Sequence, residues 1–87
     1  MAQVWIPPLL RSLTNGQDQI SAQGGDVGDV IADLETRFPG LRARLCDGDA
    51  LRPGLAAVVD GQVARRGLLE PVGPRSEVHF IPAIGGG

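Results

Sequence analysis

The apolar run Val78-His79-Phe80-Ile81 passes directly into Pro82-Ala83-Ile84-Gly85-Gly86-Gly87. Any fold must place the end of that strand where a stretch almost without side chains can leave it. Glycine adds nothing to a core, and ordering it is entropically costly. Chain ends with nothing to pack are normally mobile. The stretch reads as a strand that holds out a flexible tail, residues 82–87, ending in a carboxylate at Gly87. Pro82 ends the hydrogen-bond ladder and sets the direction in which the tail departs. Composition alone would also allow a frayed end, so the rest of the chain has to decide.

With 87 residues the chain forms one small domain, residues 1–81, ahead of that tail. A domain of this size buries roughly 60–65% of its unfolded surface, so one compact core must suffice. Hydrophobic residues at 43% and charged residues at 21% place it among globular chains, not disordered ones. A net charge of -2 argues against nucleic acid as a partner. All eight basic residues are arginines. The absence of lysine excludes a Walker-type phosphate loop, a Schiff-base lysine and an isopeptide bond to a side chain of this chain. One cysteine, Cys46, excludes an internal disulfide and a multi-cysteine metal site, and suits a reducing cytoplasm. Met1-Ala2-Gln3-Val4 lacks the pattern of a signal peptide, and no apolar run reaches the length of a membrane span.

Val4-Trp5-Ile6 predicts a first strand, stopped by Pro7-Pro8. Thr14-Asn15-Gly16 marks a turn, after which Gln19-Ile20-Ser21-Ala22 returns as a second strand. Asp26 is placed to cap a helix, with Asp29 three residues on. Val27, Val30, Ile31, Leu34 and Phe38 recur at helical spacing, and Pro39-Gly40 stops the run. Leu41 to Leu45 can form a short second helix. Cys46-Asp47-Gly48-Asp49 reads as a solvated loop, with too few oxygen ligands for calcium. Leu55–Val59 and Gln62–Ala64 flank Asp60-Gly61, a dipeptide that suits a tight hairpin. Leu68-Leu69 are expected to plug the core, and Glu77–Ile81 forms the last strand. The order predicts an α+β fold: one mixed sheet of four to five strands with a main helix packed on one face. The last strand is expected beside the first, in the middle of the sheet.

Three stretches together resemble the MoaD/ThiS family of β-grasp, ubiquitin-like sulfur carriers. They are Asp26–Leu34, the hairpin Val58-Val59-Asp60-Gly61-Gln62, and the ending Glu77–Gly87, with its strand, proline, hydrophobic residue and Gly-Gly. Within the family, Ile6–Arg11 and Thr14–Gln17 are most similar to the CysO type, which carries sulfur for cysteine synthesis. Gly85 stands where relatives often have alanine or serine. The resemblance implies no bound cofactor and no catalytic residue of the chain's own. A ubiquitin-activating-like partner enzyme uses ATP to adenylate Gly87, and sulfide or a persulfide displaces AMP to leave a thiocarboxylate. The sulfur then passes to a cysteine synthase-like enzyme or, alternatively, to the large subunit of molybdopterin synthase. A metalloprotease that trims the tail completes the implied partners; a ubiquitin-like modifier is the remaining alternative.

Chemistry of this kind explains the tail. Pro82, Ala83, Ile84, Gly85 and Gly86 would thread a narrow channel in the partner, with Ile84 fixing the depth and backbone amides pairing with the walls. A partner surface is expected on Phe80, His79 and Ile81. Alternation turns either Val78/Phe80 or His79/Ile81 toward the helix and the other pair outward; Trp5 raises the same question on the first strand. His79 as a lone strand histidine reads as packed or surface, and Cys46 as a small buried hydrophobe. Arg65-Arg66 and Arg42/Arg44 read as solvated, with docking to an acidic patch as the lesser alternative. Gly24, Gly25 and Gly28 lack the spacing of a dinucleotide fingerprint.

Overall fold

The computed structural model describes residues 1–82. β1 (Ala2–Trp5) pairs antiparallel with β2 (Gln19–Ala22), joined by a 3-10 segment over Pro8–Thr14. α1 (Val27–Arg37) and α2 (Leu41–Leu45) follow. Two short strands, β3 (Cys46–Asp47) and β4 (Ala50–Leu51), form a separate hairpin. β5 (Leu55–Val59), β6 (Gln62–Val63) and β7 (Glu77–Pro82) complete the main sheet. Its order is β2-β1-β7-β5-β6, with β1 and β7 parallel and every other neighbour antiparallel. The last strand therefore lies in the middle, beside the first. The five-stranded mixed sheet with its main helix is the expected α+β, β-grasp architecture.

Each element follows from its residues. Asp26 takes an extended conformation and its carboxylate accepts the N–H of Asp29 at 2.7 Å, which starts α1. Val27, Val30, Ile31 and Leu34 are buried completely, and Phe38 packs at the edge of the core. The apolar stripe meets the inner face of the sheet, where Ala2, Val4, Ile20, Ala22, Ala57, Val59, Val78 and Phe80 are buried. Glu35 carries α1 into α2: its carboxylate accepts the N–H groups of Gly40 at 3.0 Å and Arg42 at 2.8 Å. Those bonds hold the Glu35 carboxyl below its ordinary pKa. At the sheet edge, Arg37 donates to the Ser21 carbonyl at 2.7 Å and to Asp33 at 3.0 Å, which ties β2 to the helix. An edge strand capped this way is a poor template for foreign strands.

Two expectations need correcting. The stretch beginning at Cys46 is not a plain loop: Cys46 pairs with Leu51 and Asp47 with Ala50 around a turn at Gly48-Asp49. Two-residue strands carry no alternation that a sequence could reveal. Of Leu68-Leu69, only Leu68 packs on the core; Leu69 is exposed, because the 3-10 turn over Gly67–Leu69 points neighbouring side chains in different directions.

Candidate functional site

The site begins where β7 leaves the sheet. Leu55 of β5 stands opposite Pro82, so Pro82 is the last residue of the strand and not the first of the tail. Lacking an N–H, proline is tolerated at such a ladder end. Ala83, Ile84, Gly85, Gly86 and Gly87 lie outside the described residues.

Strand alternation settles the direction of β7. Val78 and Phe80 point inward, and Phe80 is only 6% exposed. Phe80 therefore belongs to the core and cannot be part of a partner surface. The reason is register: Phe80 stands opposite Ala57, Val78 opposite Val59 and Val4, and all of these face α1. His79 and Ile81 lie on the opposite, open face, and Ile81 is 40% exposed.

Pairing places one residue from each strand in a single row across that face: Gln19, Trp5, His79, Val58 and Val63. Within the row the rings of Trp5 and His79 stack, 4.5 Å between centroids and 13° between planes. Beside them Val58, Asp60, Gly61, Glu77, His79 and Ile81 border a shallow hollow of about 410 Å³. Among the described residues no arginine lies on a strand of this sheet. The open face is therefore mixed: Trp5, His79, Val58 and Ile81 form its apolar and aromatic part, Gln3, Gln19 and Ser21 are hydrogen-bonded to one another beside it, and Asp60 and Glu77 are its charged margin. Sequence reasoning raised Trp5 but could not find the stack, which joins residues far apart through a parallel register.

The turn between β5 and β6 is anchored to β7. Asp60 sits at φ 51° and Gly61 at φ 85°, the left-handed pair that a two-residue hairpin requires. The Asp60 carboxylate accepts the N–H of Glu77 at 2.9 Å and the hydroxyl of Ser76 at 2.7 Å. Those two bonds, the backbone one first, hold its pKa below the usual value. Ser76 Oγ in turn accepts the N–H of Gly73 at 2.8 Å.

Arg65 and Arg66 line a larger, open groove of about 890 Å³ with Gln62, Val63 and Glu70. It adjoins the β5–β6 turn, at the end of β7 away from Pro82. Arg42 and Arg44 are on α2. Neither pair lies on a strand of the main sheet. Cys46 is buried, and burial pushes its thiol pKa up, so it packs as a small hydrophobe. Among the described residues, no three His, Cys, Asp or Glu side chains converge as metal ligands. No described helix is long and apolar enough to cross a membrane.

The sequence pattern of the ThiS family matches residues 4–87. The sulfur carrier protein CysO of Mycobacterium tuberculosis is 35% identical, covering 97% of this chain and 96% of its own. A chain of the Amycolatopsis orientalis BexX/CysO complex superposes with a TM-score of 0.91 at 31% identity, each chain covered completely. The crystal structure of Mycobacterium tuberculosis CysO gives 0.88 at 32% identity, over 97% of this chain and 100% of that one. The small archaeal modifier protein of Methanosarcina acetivorans shares the fold, with a TM-score of 0.76 at 23% identity over 99% and 95% of the two chains. The open-faced β-grasp sheet, the strand that delivers Pro82 to its end and these likenesses agree: the chain belongs to the ThiS family.

Proposed function

We propose that the protein carries sulfur as a thiocarboxylate on Gly87 and acts as a co-substrate of its partner enzymes. It is a sulfur carrier of the CysO kind, serving cysteine biosynthesis. The observation that supports this most is the family match running through residue 87, joined to a CysO relative that covers nearly the whole chain.

A carboxylate is a poor electrophile. The carboxylate of Gly87 attacks the α-phosphorus of ATP in an adenylating partner, releasing pyrophosphate. Sulfide sulfur then attacks the carbonyl, the C–O bond to phosphate breaks, and AMP leaves. A cysteine synthase-like enzyme takes the sulfur, and a metalloprotease trims the tail. The chain's own residues supply position. β7 holds Pro82 at the sheet end, and Ala83 to Gly86 pass into the partner's channel. Trp5, His79, Val58 and Ile81 form the docking face beside it. The Amycolatopsis relative was crystallised in complex with BexX, which accords with a life spent on partner surfaces.

The test is mass spectrometry of the chain after incubation with ATP, sulfide and its adenylating enzyme. One oxygen exchanged for sulfur at Gly87 is expected, and none in a chain lacking Gly87. An unmodified Gly87 after adenylation and sulfide would overturn the reading.

A further inference from the structure

The two edges of the main sheet are finished differently. On the β2 edge, Arg37 donates to the Ser21 carbonyl at 2.7 Å and the Asp33 carboxylate accepts the Gln23 N–H at 3.0 Å. The opposite edge is β6. Gln62 stands opposite Val59 across the Asp60-Gly61 turn, and the Ala64 N–H donates to the Ala57 carbonyl at 2.8 Å. Bonded and non-bonded positions alternate along an antiparallel pair. Val63, between Gln62 and Ala64, therefore turns its N–H and C=O away from β5. Neither group has a backbone partner among the described residues, and the Val63 side chain is 59% exposed.

Beside Val63 lies the groove of about 890 Å³ that Arg65 and Arg66 line. Its acids are already engaged. The Glu70 carboxylate accepts the Arg66 N–H at 3.2 Å, and the two oxygens of Asp60 accept the Glu77 N–H and the Ser76 hydroxyl. Its bases are not. Arg65 and Arg66 are exposed, and among the described residues neither guanidinium forms an ion pair. A guanidinium stays protonated and can grip a carboxylate through two N–H groups at once.

We propose that this edge docks an extended, acidic segment of a partner protein. The segment lies along β6, exchanges backbone hydrogen bonds with Val63 and sets its carboxylates against Arg65 and Arg66. Main-chain pairing gives such a contact its direction but does not choose between sequences, and an edge of two residues holds little by pairing alone. The two arginines make the choice: they favour an acidic strand and repel a basic one. The site lies at the end of β5 away from Pro82, because Val59 pairs with Gln62 and Leu55 with Pro82. A segment bound there leaves Pro82 uncovered, so one protein can hold the domain while another takes its tail. The proposal does not depend on what Gly87 carries.

The test follows backbone amide signals of the isotope-labelled full chain by NMR in low salt. The probe is a blocked octapeptide of alternating glutamate and valine. Its addition should shift the amides from Gln62 to Arg66, slow hydrogen exchange at the Val63 N–H, and lose its effect as added salt screens the charges. The Arg65→Ala/Arg66→Ala double variant should bind at least ~3-fold more weakly, the sum of two exposed ion pairs. Val63→Pro deletes the outward N–H and no bond to β5, as edge strands tolerate, and should also weaken binding. Arg42→Ala/Arg44→Ala, the exposed pair on α2, should bind as wild type, and a lysine–valine octapeptide should not bind; circular dichroism checks the fold of each variant. No shifts at millimolar peptide, or shifts centred away from β6, would overturn the proposal. So would an unweakened Arg65→Ala/Arg66→Ala variant, an equal loss in Arg42→Ala/Arg44→Ala, or equal binding of the lysine peptide. Should Val63→Pro fail to fold, unslowed exchange at Val63 in the wild type decides against strand pairing.

Discussion

The imidazole of His79 lies flat on the indole of Trp5, with centroids 4.5 Å apart. The contact joins the first and last strands on the face that α1 leaves open, three residues before Pro82. Trp5 is the chain's single tryptophan, so its fluorescence reports this contact alone. His79→Ala should change the emission of the folded protein and cost about 1 kcal/mol in urea unfolding, the usual worth of an aromatic pair. Trp5→Ala should cost a similar amount and also weaken capture by the adenylating enzyme, measured as a raised KM for the carrier. An unchanged emission in His79→Ala would show that the stack does not persist in solution.

Phe80 and Ile81 are neighbours with opposite duties. Phe80→Ala empties a buried site between Ala57 and α1 and should destabilise the fold by about 3–5 kcal/mol. Ile81→Ala removes an exposed side chain and should change stability by no more than about 0.5–1 kcal/mol. It should nonetheless lower the rate of Gly87 modification by the partner. Equal losses of stability in the two variants would contradict the strand register.

Patterns that repeat over one or two turns were legible in the sequence. The stripe of α1 and its Asp26 cap rest on local spacing, the Asp60-Gly61 hairpin on its turn dipeptide and the central last strand on its apolar density, and all are present. What escaped the sequence depends on partners far away in the chain. Which side of β7 meets the helix is fixed only by its register against Val4 and Ala57, so Phe80 could not be assigned. The same register makes the Trp5–His79 stack. The β3–β4 hairpin around Gly48 is too short to carry a period of two.

The Asp60 link should show in the acid limb of stability. Its carboxyl is held below the ordinary value by the Glu77 N–H and the Ser76 hydroxyl. A depressed folded pKa means that the folded form binds its proton less tightly than the unfolded chain. The stabilisation is complete above the ordinary carboxylate value of about 4 and is lost as pH falls through the folded one. Glu35 acts with the same sign through its bonds to Gly40 and Arg42. Asp60→Asn tolerates the left-handed conformation but cannot accept both bonds as a carboxylate does. Urea midpoints measured from neutral to strongly acid pH should therefore fall less steeply for Asp60→Asn than for wild type. Ser76→Ala, which also strands the Gly73 N–H, should cost about 1–2 kcal/mol at neutral pH.

Gly24 and Gly61 separate two reasons for glycine. Both have positive φ, 155° and 85°. At Gly61 a Cβ would meet nothing within 4 Å, so Gly61→Ala incurs only the left-handed backbone cost of about 1–2 kcal/mol. At Gly24 the same atom would stand 2.6 Å from the backbone nitrogen of Val30 and 2.8 Å from Asp29 Cβ. Neither can move without displacing the first turn of α1, whose Val30 is fully buried. Gly24→Ala should then cost clearly more than Gly61→Ala, by at least ~2 kcal/mol in urea unfolding. A Gly24→Ala protein as stable as Gly61→Ala would mean that the β2–α1 connection can yield, and that the helix is not held against the sheet by this close approach.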